Sequence, residues 1–373
     1  RGLGDVYKRQ FLANTNPAVE NLRRKVTAEH AEFVTITKFL SKDVSNDCDI
    51  LCLDECSTIS NRDMVRVLQR AQCKLLVLVG DIYQIESILF GNWFNIAYKV
   101  MPKDSVAELT RPHRTTVQGL IEVWNKVREI TEDRLEFITR NGLSSTLDES
   151  IFSRTEEDEI VLCLNYDGIY GINNINKFLQ SNNVNPSINW GVLSYKVGDP
   201  VLFNESNRFA PLVYNNLKGK ILQIEEEEDC IYFTIEVYTV LNELDVIGFD
   251  LELKESVTDE TSVIRFKVGR GGDGNDDNDN VENVVPFQVA YAISIHKAQG
   301  LEYESVKVVI TSEIEEMVSH NIFYTAITRA KSKLKIYWSP ETEKRILENM
   351  KVQFNDKDYQ LFKAKYKEAL LKS

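Results

Sequence analysis

Short apolar stretches alternate with amphipathic stretches over the first hundred residues of the chain. The apolar stretches read "FLANT", "FVTITKFL", "DILCLDE" and "LLVLVGD", and helix-like runs such as "NPAVENLRRKV" and "NRDMVRVLQRAQ" lie between them. Strands that are apolar on both faces and alternate with helices are typical of a parallel sheet covered by helices. The pattern therefore predicts an α/β domain of the nucleotide-binding kind over residues 11–112.

A second α/β pattern begins after a charged, mainly helical stretch and is then interrupted. It starts with "EIVLCLN" and "GINNINKFLQ" and resumes with "FQVAYAISIHKAQG" and "SVKVVITSE". Between these parts the pattern changes to β-rich alternation, as in "CIYFTIEVYTV", which is typical of a small β-barrel. We therefore predict a second α/β domain made of residues 113–190 and 284–340, with a β-barrel inserted at 191–269.

Three further segments are assigned from their composition. The first ten residues, "RGLGDVYKRQ", have no hydrophobic period and resemble translated adapter sequence, so we expect 1–10 to be non-native and exclude them from the fold. The Gly, Asp and Asn residues at 270–283 predict a flexible acidic linker. A charged helical tail is predicted at 341–373.

The overall composition is that of a globular protein with two or three domains. Of its 373 residues, 43% are hydrophobic, which is enough for more than one core. No apolar run approaches the ~18 to 20 residues of a membrane helix, so we expect a cytoplasmic location. The net charge of −13 argues against a protein that coats nucleic acid through bulk electrostatics, although it leaves room for a local groove.

The stretch "CDILCLDECS" places two carboxylates at the end of an apolar run. Asp54 and Glu55 would lie at the carboxyl edge of a buried parallel strand, where α/β sheets bind their ligands. In a P-loop NTPase an Asp at this point holds Mg²⁺, and the following acid orients or deprotonates the attacking water. An ordinary strand that ends in an exposed acidic turn explains the same residues equally well.

The cysteines of this stretch raise the question of a metal site. Cys48, Cys52 and Cys56 would share one face of a strand, with successive thiols roughly 13 Å apart at ~3.3 Å per residue, which is too far for one ion. Zinc sites favour close Cys pairs on loops, with a matching His or Cys pair downstream. The chain has six cysteines, too scattered for a disulfide framework, so we expect reduced thiols packed in apolar strands.

Polar residues that could contact phosphate follow other predicted strands. Gly80 and Gln84 follow "LLVLV", where the glycine permits a tight exit and a Gln amide can read a γ-phosphate or position water. "ELTRPHRT" contains Arg111 and Arg114, and "FYTAITRAK" contains Arg329. An arginine delivered to a phosphate stabilises the charge that develops during phosphoryl transfer. Taken singly, each of these residues is also explained as an ordinary loop or surface residue.

The segment "AISIHKAQGLEYE" combines a strand with a polar turn. His296, Lys297, Gln299, Gly300 and Glu302 follow one another closely at the end of this strand. A lone His or Lys there would be a solvated loop residue, whereas four polar groups and a glycine at one strand end indicate a site.

Taken in order, these segments resemble the motifs of superfamily 1 helicases, in particular the RecD-like branch. "FLANTNPAVENL" resembles motif Ia, "FVTITKFL" Ib, "LCLDECS" the Walker B motif II, "VGDIYQIES" III, "LTRPHR" IV, "ISIHKAQGLEYE" V and "YTAITRAK" VI. The stretch that starts with "YKVGDPVLF" is similar to the SH3-like barrel of that branch. The resemblance implies an α/β fold of two RecA-like parallel-sheet domains, with a small SH3-like β-barrel inserted in the second.

The resemblance also implies an activity and the residues that bind its cofactors. A helicase or translocase of this kind hydrolyses ATP with Mg²⁺ and moves along single-stranded nucleic acid, and we expect DNA and 5′-to-3′ polarity. Asp54 would hold Mg²⁺ and contact ATP, and Gly300 and Glu302 of motif V would contact the nucleotide.

Four residues at matching positions would act in ATP hydrolysis. Glu55 would activate water, and Gln84 would sense the γ-phosphate and couple it to the nucleic-acid site. Arg114 and Arg329 would reach the γ-phosphate from the second domain. All four would therefore also belong to the ATP-binding site.

Other matching positions line the single-strand channel of the family, where the contacts are to phosphates. These positions are Thr15, Asn16, Pro17, Thr37, His296 and Lys297. Trp93 or Phe94 could offer a base a stacking face, and a role as a core aromatic explains either residue equally well.

One departure from the family pattern concerns the phosphate cradle. The 373 residues contain no G-x₄-G-K-[ST], and in the family this P-loop precedes motif Ia, so we expect the chain to be truncated before it. The polypeptide as given is expected to bind nucleotide poorly. Two alternatives stay open: a non-catalytic nucleic-acid-binding or regulatory module with the same fold, and an RNA helicase.

Overall fold

The computed structural model describes residues 7–41, 45–85, 92–109, 114–204, 208–210, 212–256, 258–270, 283–351 and 356–370. The candidate Arg111, residues 271–282 of the predicted linker and residues 1–6 of the expected adapter lie outside the described residues. None of the described helices is both long and apolar enough to cross a membrane.

The helices and strands are numbered in chain order. The helices are α1 (Asn16–Lys25), α2 (Ile36–Leu40), α3 (Asn61–Arg70), α4 (Trp93–Val100), α5 (Gln118–Arg128), α6 (Arg134–Arg140), α7 (Ile172–Ser181), α8 (His320–Ile327), α9 (Pro340–Asn349) and α10 (Asp356–Leu370). The strands are β1 (Arg9–Ala13), β2 (Ala31–Thr35), β3 (Asp47–Leu53), β4 (Gln72–Leu78), β5 (Ser144–Ser145), β6 (Glu159–Cys163), β7 (Ser187–Trp190), β8 (Leu193–Lys196), β9 (Pro200–Phe203), β10 (Lys218–Glu226), β11 (Cys230–Val237), β12 (Glu252–Lys254), β13 (Ser262–Gly269), β14 (Phe287–Val289), β15 (Ala292–Ser294), β16 (Tyr303–Val309) and β17 (Ala330–Tyr337).

The chain divides into two compact units. Unit 1 contains residues 1–144, 315–333 and 340–373, and unit 2 contains residues 145–314 and 334–339. Helices α5 and α8 fall in the same unit because they contact each other: the Trp124 indole donates to Ile327 O at 3.0 Å, and His320 Nε2 lies 2.8 Å from Val127 O. Residues 113–144 and 315–333, which the sequence prediction placed in the second α/β domain, therefore group with the first sheet.

A four-stranded parallel sheet in the order β2-β1-β3-β4 forms the centre of unit 1. Leu12, Leu51 and Leu53 of its central strands are fully buried and pack with side chains of α2 and α3. Thr15 and Ser60 begin α1 and α3 by accepting hydrogen bonds from backbone amides of the first turn. The carboxyl ends of β1, β3 and β4 consequently meet at one edge of the sheet.

The start of this sheet corrects the exclusion of the first ten residues from the fold. Arg9 and Gln10 lie in β1 and pair with both β2 and β3. The Gln10 side chain is fully buried and donates to Glu32 Oε2 and to Ser45 O, both at 2.7 Å. Because both residues pair with the neighbouring strands and Gln10 is buried, the exclusion of residues 9 and 10 from the fold was wrong, and the non-native origin of 1–10 stays a prediction.

The α/β part of unit 2 is built on a five-stranded sheet in the order β15-β6-β16-β17-β5. Strand β6 is parallel to both β15 and β16, and all five of its residues are buried, as expected for a strand covered on both faces. Its Glu159 forms an ion pair of 3.0 Å with Lys307 of β16, and both side chains are almost fully buried. The border between the two units falls within β17.

The rest of unit 2 contains an antiparallel sheet in the order β12-β13-β11-β10-β9-β14. Burial alternates along β11, so that Phe233 joins Phe203, Phe266 and Phe287 in an aromatic core. Strand β14 lies beyond the predicted end of the insertion at residue 269, and β7 and β8 form a separate two-stranded hairpin. The closure of this sheet into an SH3-like barrel stays a prediction.

Candidate nucleotide site

Asp54 and Glu55 follow directly after β3, as the sequence predicts. Asp54 N donates to Leu12 O at 2.8 Å, and Cys56 N donates to Val79 O at 2.9 Å, so neighbouring strands hold both ends of the turn. Glu55 has a φ of 50°, in the left-handed region that a residue with a side chain seldom adopts. Such strain persists only where surrounding contacts hold it, and it is frequent at functional sites.

The two carboxylates share a half-buried environment that changes their acidity. Burial raises the pKa of Asp54, although a hydrogen bond from Glu55 N, 2.8 Å from Asp54 Oδ1, opposes the rise. Burial also raises the pKa of Glu55, and the negative charge of Asp54 adds to the effect, whereas the charges of Arg329 and Arg114 oppose it. A carboxylate with a raised pKa is better matched to proton abstraction near neutral pH.

The carboxylate of Asp54 fits the ligand preference of Mg²⁺, which takes one or two carboxylates together with substrate phosphates and water. Within the described ranges, no group of three or more His, Cys, Asp or Glu side chains is arranged to hold a metal ion. A cation at Asp54 would therefore be bound together with a nucleotide rather than in a cage made only of protein side chains.

Gln84 lies on the short loop that follows β4. Asp81 organises this loop: its Oδ1 accepts from Tyr83 N at 2.9 Å, its carbonyl accepts from Gln84 N at 3.3 Å, and Gln84 Nε2 lies 3.4 Å from Asp81 Oδ2. Gly80 precedes the loop at a crowded point, since an added Cβ would lie 2.9 Å from Phe94 Cε1 and 3.0 Å from Cys56 N. The tight strand exit predicted at Gly80 thus has a packing reason.

Arg114 and Arg329 are both in unit 1 and both contact the end of α8. Arg114 Nη1 donates to Thr328 O at 2.5 Å. Arg329 is 1% exposed, and its Nε donates to Thr325 O at 3.0 Å. Both arginines thus belong to the same unit as the two carboxylates, and both guanidinium charges lower the pKa of Glu55. The sequence had predicted that the arginines would come from the second domain.

Gly300 and Glu302 belong to unit 2, whereas the other predicted ATP-site residues belong to unit 1. Gly300 has a φ of 77°, which suits a glycine in the turn after β15. The carbonyl oxygen of Glu302 accepts a hydrogen bond from Lys218 Nζ at 3.1 Å. Their predicted contact with nucleotide stays a prediction.

The predicted strand-binding residues of unit 1 lie at the starts of two helices. Thr15 caps α1, and its exposed side chain accepts from Ala18 N at 3.4 Å. Asn16 is exposed, whereas Pro17 is buried in the first turn of α1. Thr37 is exposed in the first turn of α2. Helix starts present backbone amides that suit phosphate oxygens.

The remaining strand-binding candidates differ in exposure. His296 is exposed and Lys297 is half-buried, with its Nζ donating to Gln288 Oε1 at 2.8 Å. The Trp93 indole donates to Ile59 O at 2.8 Å, and the ring meets Phe94 edge-on while packing against the core of unit 1. These contacts favour the core interpretation of Trp93 that the sequence left open.

The cysteines around Asp54 pack in or beside the same core. Cys48 and Cys56 are buried, and Cys52 is half-buried. Burial raises the pKa of Cys48 and of Cys52 to about 11, and that of Cys56 further. These thiols are therefore protonated at neutral pH, and a protonated thiol is a poor nucleophile.

Two residues of α8 that the sequence did not single out contact the Gln84 loop. Asn321 Nδ2 donates to Gln84 O at 2.9 Å, and Thr325 Oγ1 accepts from Ile85 N at 3.0 Å. Their four-residue spacing puts both on one face of an otherwise mostly apolar helix. That pairing of polar positions was the one signal in the sequence that could have identified them.

A cavity of about 190 Å³ lies within unit 2, between the residues before β6 and the antiparallel sheet. Its walls carry Lys218 and Lys220, which are already paired with Asp158 and Glu157 of the facing wall. Because these charges are neutralised within the wall, the cavity is better explained by packing of two layers than by a site for an anion.

Comparisons with known proteins agree with the helicase resemblance. A sequence profile of the UvrD-like helicase C-terminal domain matches residues 289–337, and a profile of an AAA domain matches residues 4–148. The uncharacterized protein MJ1519 of Methanocaldococcus jannaschii is 24% identical over 354 residues, covering 79% of this chain and 29% of that protein. The RecBCD enzyme subunit RecD of Mycolicibacterium smegmatis is 22% identical over 336 residues, covering 82% of this chain and 52% of that protein. The chain thus spans about half or less of the length of these curated relatives.

Solved structures of similar fold include two of Pif1 helicases. One describes DNA unwinding at forked dsDNA by two coordinating Pif1 helicases, with a TM-score of 0.52, 16% identity, and coverage of 97% of this chain and 88% of that one. The other is Pif1 helicase from Candida albicans, with a TM-score of 0.50, 16% identity, and coverage of 91% and 88%. These likenesses confirm the predicted two-domain parallel-sheet α/β fold. The sequence matches agree with the resemblance to superfamily 1 helicases.

Proposed function

We propose that this chain is the motor part of an ATP-dependent helicase or translocase that moves along a single strand of nucleic acid. The observation that carries the proposal is the grouping of Asp54, Glu55, Gln84, Arg114 and Arg329 in one compact unit. The carboxylates follow one parallel strand, the Gln84 loop follows its neighbour, and both arginines act electrostatically on Glu55. Phosphoryl transfer requires these three kinds of group.

In the proposed mechanism, each of these residues has a separate task. Bound Mg²⁺ would supply positive charge to the phosphate oxygens, and Asp54 is the residue that would hold it. Glu55, whose pKa is raised by burial, would accept a proton from the attacking water. Arg114 and Arg329 would stabilise the charge that develops on the γ-phosphate, and Gln84 would sense this group.

We further propose single-stranded DNA as the substrate and 5′-to-3′ as the direction of movement. Exposed Thr15, Asn16 and Thr37 at helix starts, and exposed His296, suit contacts to phosphates. The Pif1 structure that describes DNA unwinding supports DNA over RNA. Contacts to phosphates alone do not distinguish the two sugars.

Unwinding assays test this proposal directly. Duplexes of DNA or RNA with either a 5′ or a 3′ single-stranded overhang are mixed with protein made from the complete coding sequence, MgATP and a trap strand. We expect DNA with a 5′ overhang to be opened and Glu55→Gln to remove the activity. Unwinding of RNA alone, or from the 3′ overhang, would contradict the proposed substrate or polarity.

A second candidate is a nucleic-acid-binding or regulatory module that has the motor fold without catalysis. The observation that favours it is the lack of G-x₄-G-K-[ST] in these 373 residues. Sequencing the coding region that precedes β1 distinguishes the two, because the motor requires a P-loop and the module does not. The same upstream sequence also tests the prediction that the chain is truncated before the P-loop.

A further inference from the structure

Helix α8 bonds to the backbone of the Gln84 loop at two consecutive residues. Asn321 Nδ2 donates to Gln84 O at 2.9 Å, and Ile85 N donates to Thr325 Oγ1 at 3.0 Å. Ile85 and Thr325 are buried, and Asn321 is half-buried. A buried amide that loses its acceptor keeps its full desolvation cost, so the Thr325 hydroxyl strongly favours one position of the loop.

The same turn of helix also holds the buried arginine. Thr325 O accepts from Arg329 Nε at 3.0 Å, while the Thr325 hydroxyl accepts from Ile85. Thr328 O, three residues further on, accepts from Arg114. A single residue, Thr325, therefore connects the loop of the predicted γ-phosphate sensor with one of the two predicted arginines.

Aromatic contacts also join the Gln84 loop to α8. The ring of Tyr83 packs edge-on against His320 and against Tyr324, each at 6.1 Å between ring centroids. The Arg128 guanidinium lies 6.0 Å from the centroid of the Tyr83 ring. Tyr83 thus packs against α8, the helix that also bonds to Gln84 and Ile85.

We infer that Thr325 and Asn321 are positioning residues that hold Gln84 in a fixed relation to Arg329. The inference rests on the proposed function, because Gln84 and Arg329 receive their roles there. Gln84 and Arg329 would respond to the γ-phosphate as one group, since the loop cannot shift without breaking bonds to the helix turn that bears the arginine. Thr325 and Asn321 themselves would not touch the nucleotide.

Hydrogen–deuterium exchange on matched variants tests the anchoring itself. Thr325→Val keeps the shape of the side chain and removes the acceptor, whereas Thr325→Ser keeps the hydroxyl. In a peptide that covers residues 81–85, we expect Thr325→Val to accelerate exchange at least tenfold and Thr325→Ser to stay within twofold of the unmodified chain. Equal exchange in all three proteins, or equal acceleration by both variants, would overturn the inference.

Asn321→Ala provides a second test if Thr325→Val fails to fold, because Asn321 is only half-buried. It removes the donor to Gln84 O and should also accelerate exchange in this peptide. Lys331→Ala, on the same stretch of chain, serves as the control for nonspecific loosening. Acceleration by Lys331→Ala equal to that by Asn321→Ala would count against a specific anchor.

Steady-state ATP hydrolysis separates positioning from mere packing. In protein made from the complete coding sequence, we expect Thr325→Val to lower kcat about tenfold with little change in KM, and Thr325→Ser to keep kcat close to that of the unmodified protein. If the variants differ in exchange but share one kcat, the positioning role is overturned. If the unmodified protein with its complete coding sequence hydrolyses no ATP, the proposed function fails, and the exchange results still decide whether α8 holds the loop.

Discussion

The backbone amide of Ile85 donates to the hydroxyl of Thr325, a residue 240 positions later in the chain. This hydrogen bond places the loop after β4 on the first turns of α8. Since Arg329 bonds to the carbonyl of the same threonine, residues from the predicted motifs III and VI form one continuous network. The network lies in the same compact unit as Asp54 and Glu55.

The 373-residue chain is expected to hydrolyse ATP no faster than the buffer background. A nucleotide needs the backbone amides and the lysine of a P-loop to hold its β- and γ-phosphates, and the sequence contains no such motif. A coupled assay of phosphate release with and without single-stranded DNA provides the measurement. A clear rate that Glu55→Gln abolishes would contradict this prediction.

The pH dependence of stability should reveal the raised pKa of Glu55. Burial disfavours its charged form, so the folded protein loses stability as pH rises from the ordinary value of 4.5 through the raised pKa. Glu55→Gln carries no such charge. We therefore expect the variant to be more stable than the unmodified chain at pH 8, with a difference that shrinks toward pH 5.

Urea unfolding of both proteins at each pH measures this difference. Glu136→Gln, at a side chain that is 68% exposed, is a suitable control and should show little change. A difference between Glu55→Gln and the unmodified chain that is constant from pH 5 to pH 8 would show that Glu55 titrates normally.

Gly80→Ala is expected to destabilise unit 1 by about 1–3 kcal/mol, because the added methyl group meets both Phe94 and the backbone nitrogen of Cys56. Gly119→Ala, in α5, is a matched control: nothing lies within 4 Å of its added Cβ. Alanine favours a helix, so this control should raise stability by about 0.5–1 kcal/mol. Chemical unfolding measures both, and similar effects of the two substitutions would refute the packing argument.

Removal of one partner from the buried Glu159–Lys307 pair should destabilise unit 2 strongly. Lys307 also donates to Ser150 O at 2.9 Å and to Ser153 O, and Glu159 accepts from Thr155 and Ser305. Lys307→Met leaves a buried carboxylate without its cation, for which the expected cost is about 3–5 kcal/mol.

Lys220→Met provides the contrast for the buried pair. Its partner Glu157 is 75% exposed, so the loss of that ion pair should cost only about 0–1 kcal/mol. Thermal or urea unfolding of the two variants under the same conditions gives the comparison. Equal losses would mean that the burial of Glu159 does not set the strength of its pair.

Lys297→Ala should weaken binding to single-stranded DNA and reduce its salt dependence. If Lys297 contacts one phosphate, the slope of log K against log salt concentration should fall by about 0.7. Lys254→Ala, in β12 and paired with Glu252, is the control. Fluorescence anisotropy of a labelled strand over a salt series measures both slopes. An unchanged slope for Lys297→Ala would mean that Lys297 does not contact a phosphate of the bound strand.

Much of the architecture was predictable from local patterns. The doubly apolar strand before Asp54 predicted a parallel sheet, and the alternation in β11 predicted an antiparallel sheet, because each periodicity reflects which faces of a strand are buried. Gln10 was missed since a single polar residue in an unpatterned terminus gives no periodic signal. Its burial became evident only from the partners at Glu32 and Ser45.

The positions of Asp54 and Glu55 were readable in the sequence because both directly follow an apolar strand, and Gln84 lies on the short loop after the next strand. Strand ends are encoded locally. The surroundings of these residues were not readable in the sequence. Asn321 and Thr325 meet the Gln84 loop through contacts between parts of the chain more than two hundred residues apart, and such contacts depend on how a helix face packs, which periodicity alone does not specify. The raised pKa of Glu55 likewise arises from burial and from neighbours that only the folded chain brings together.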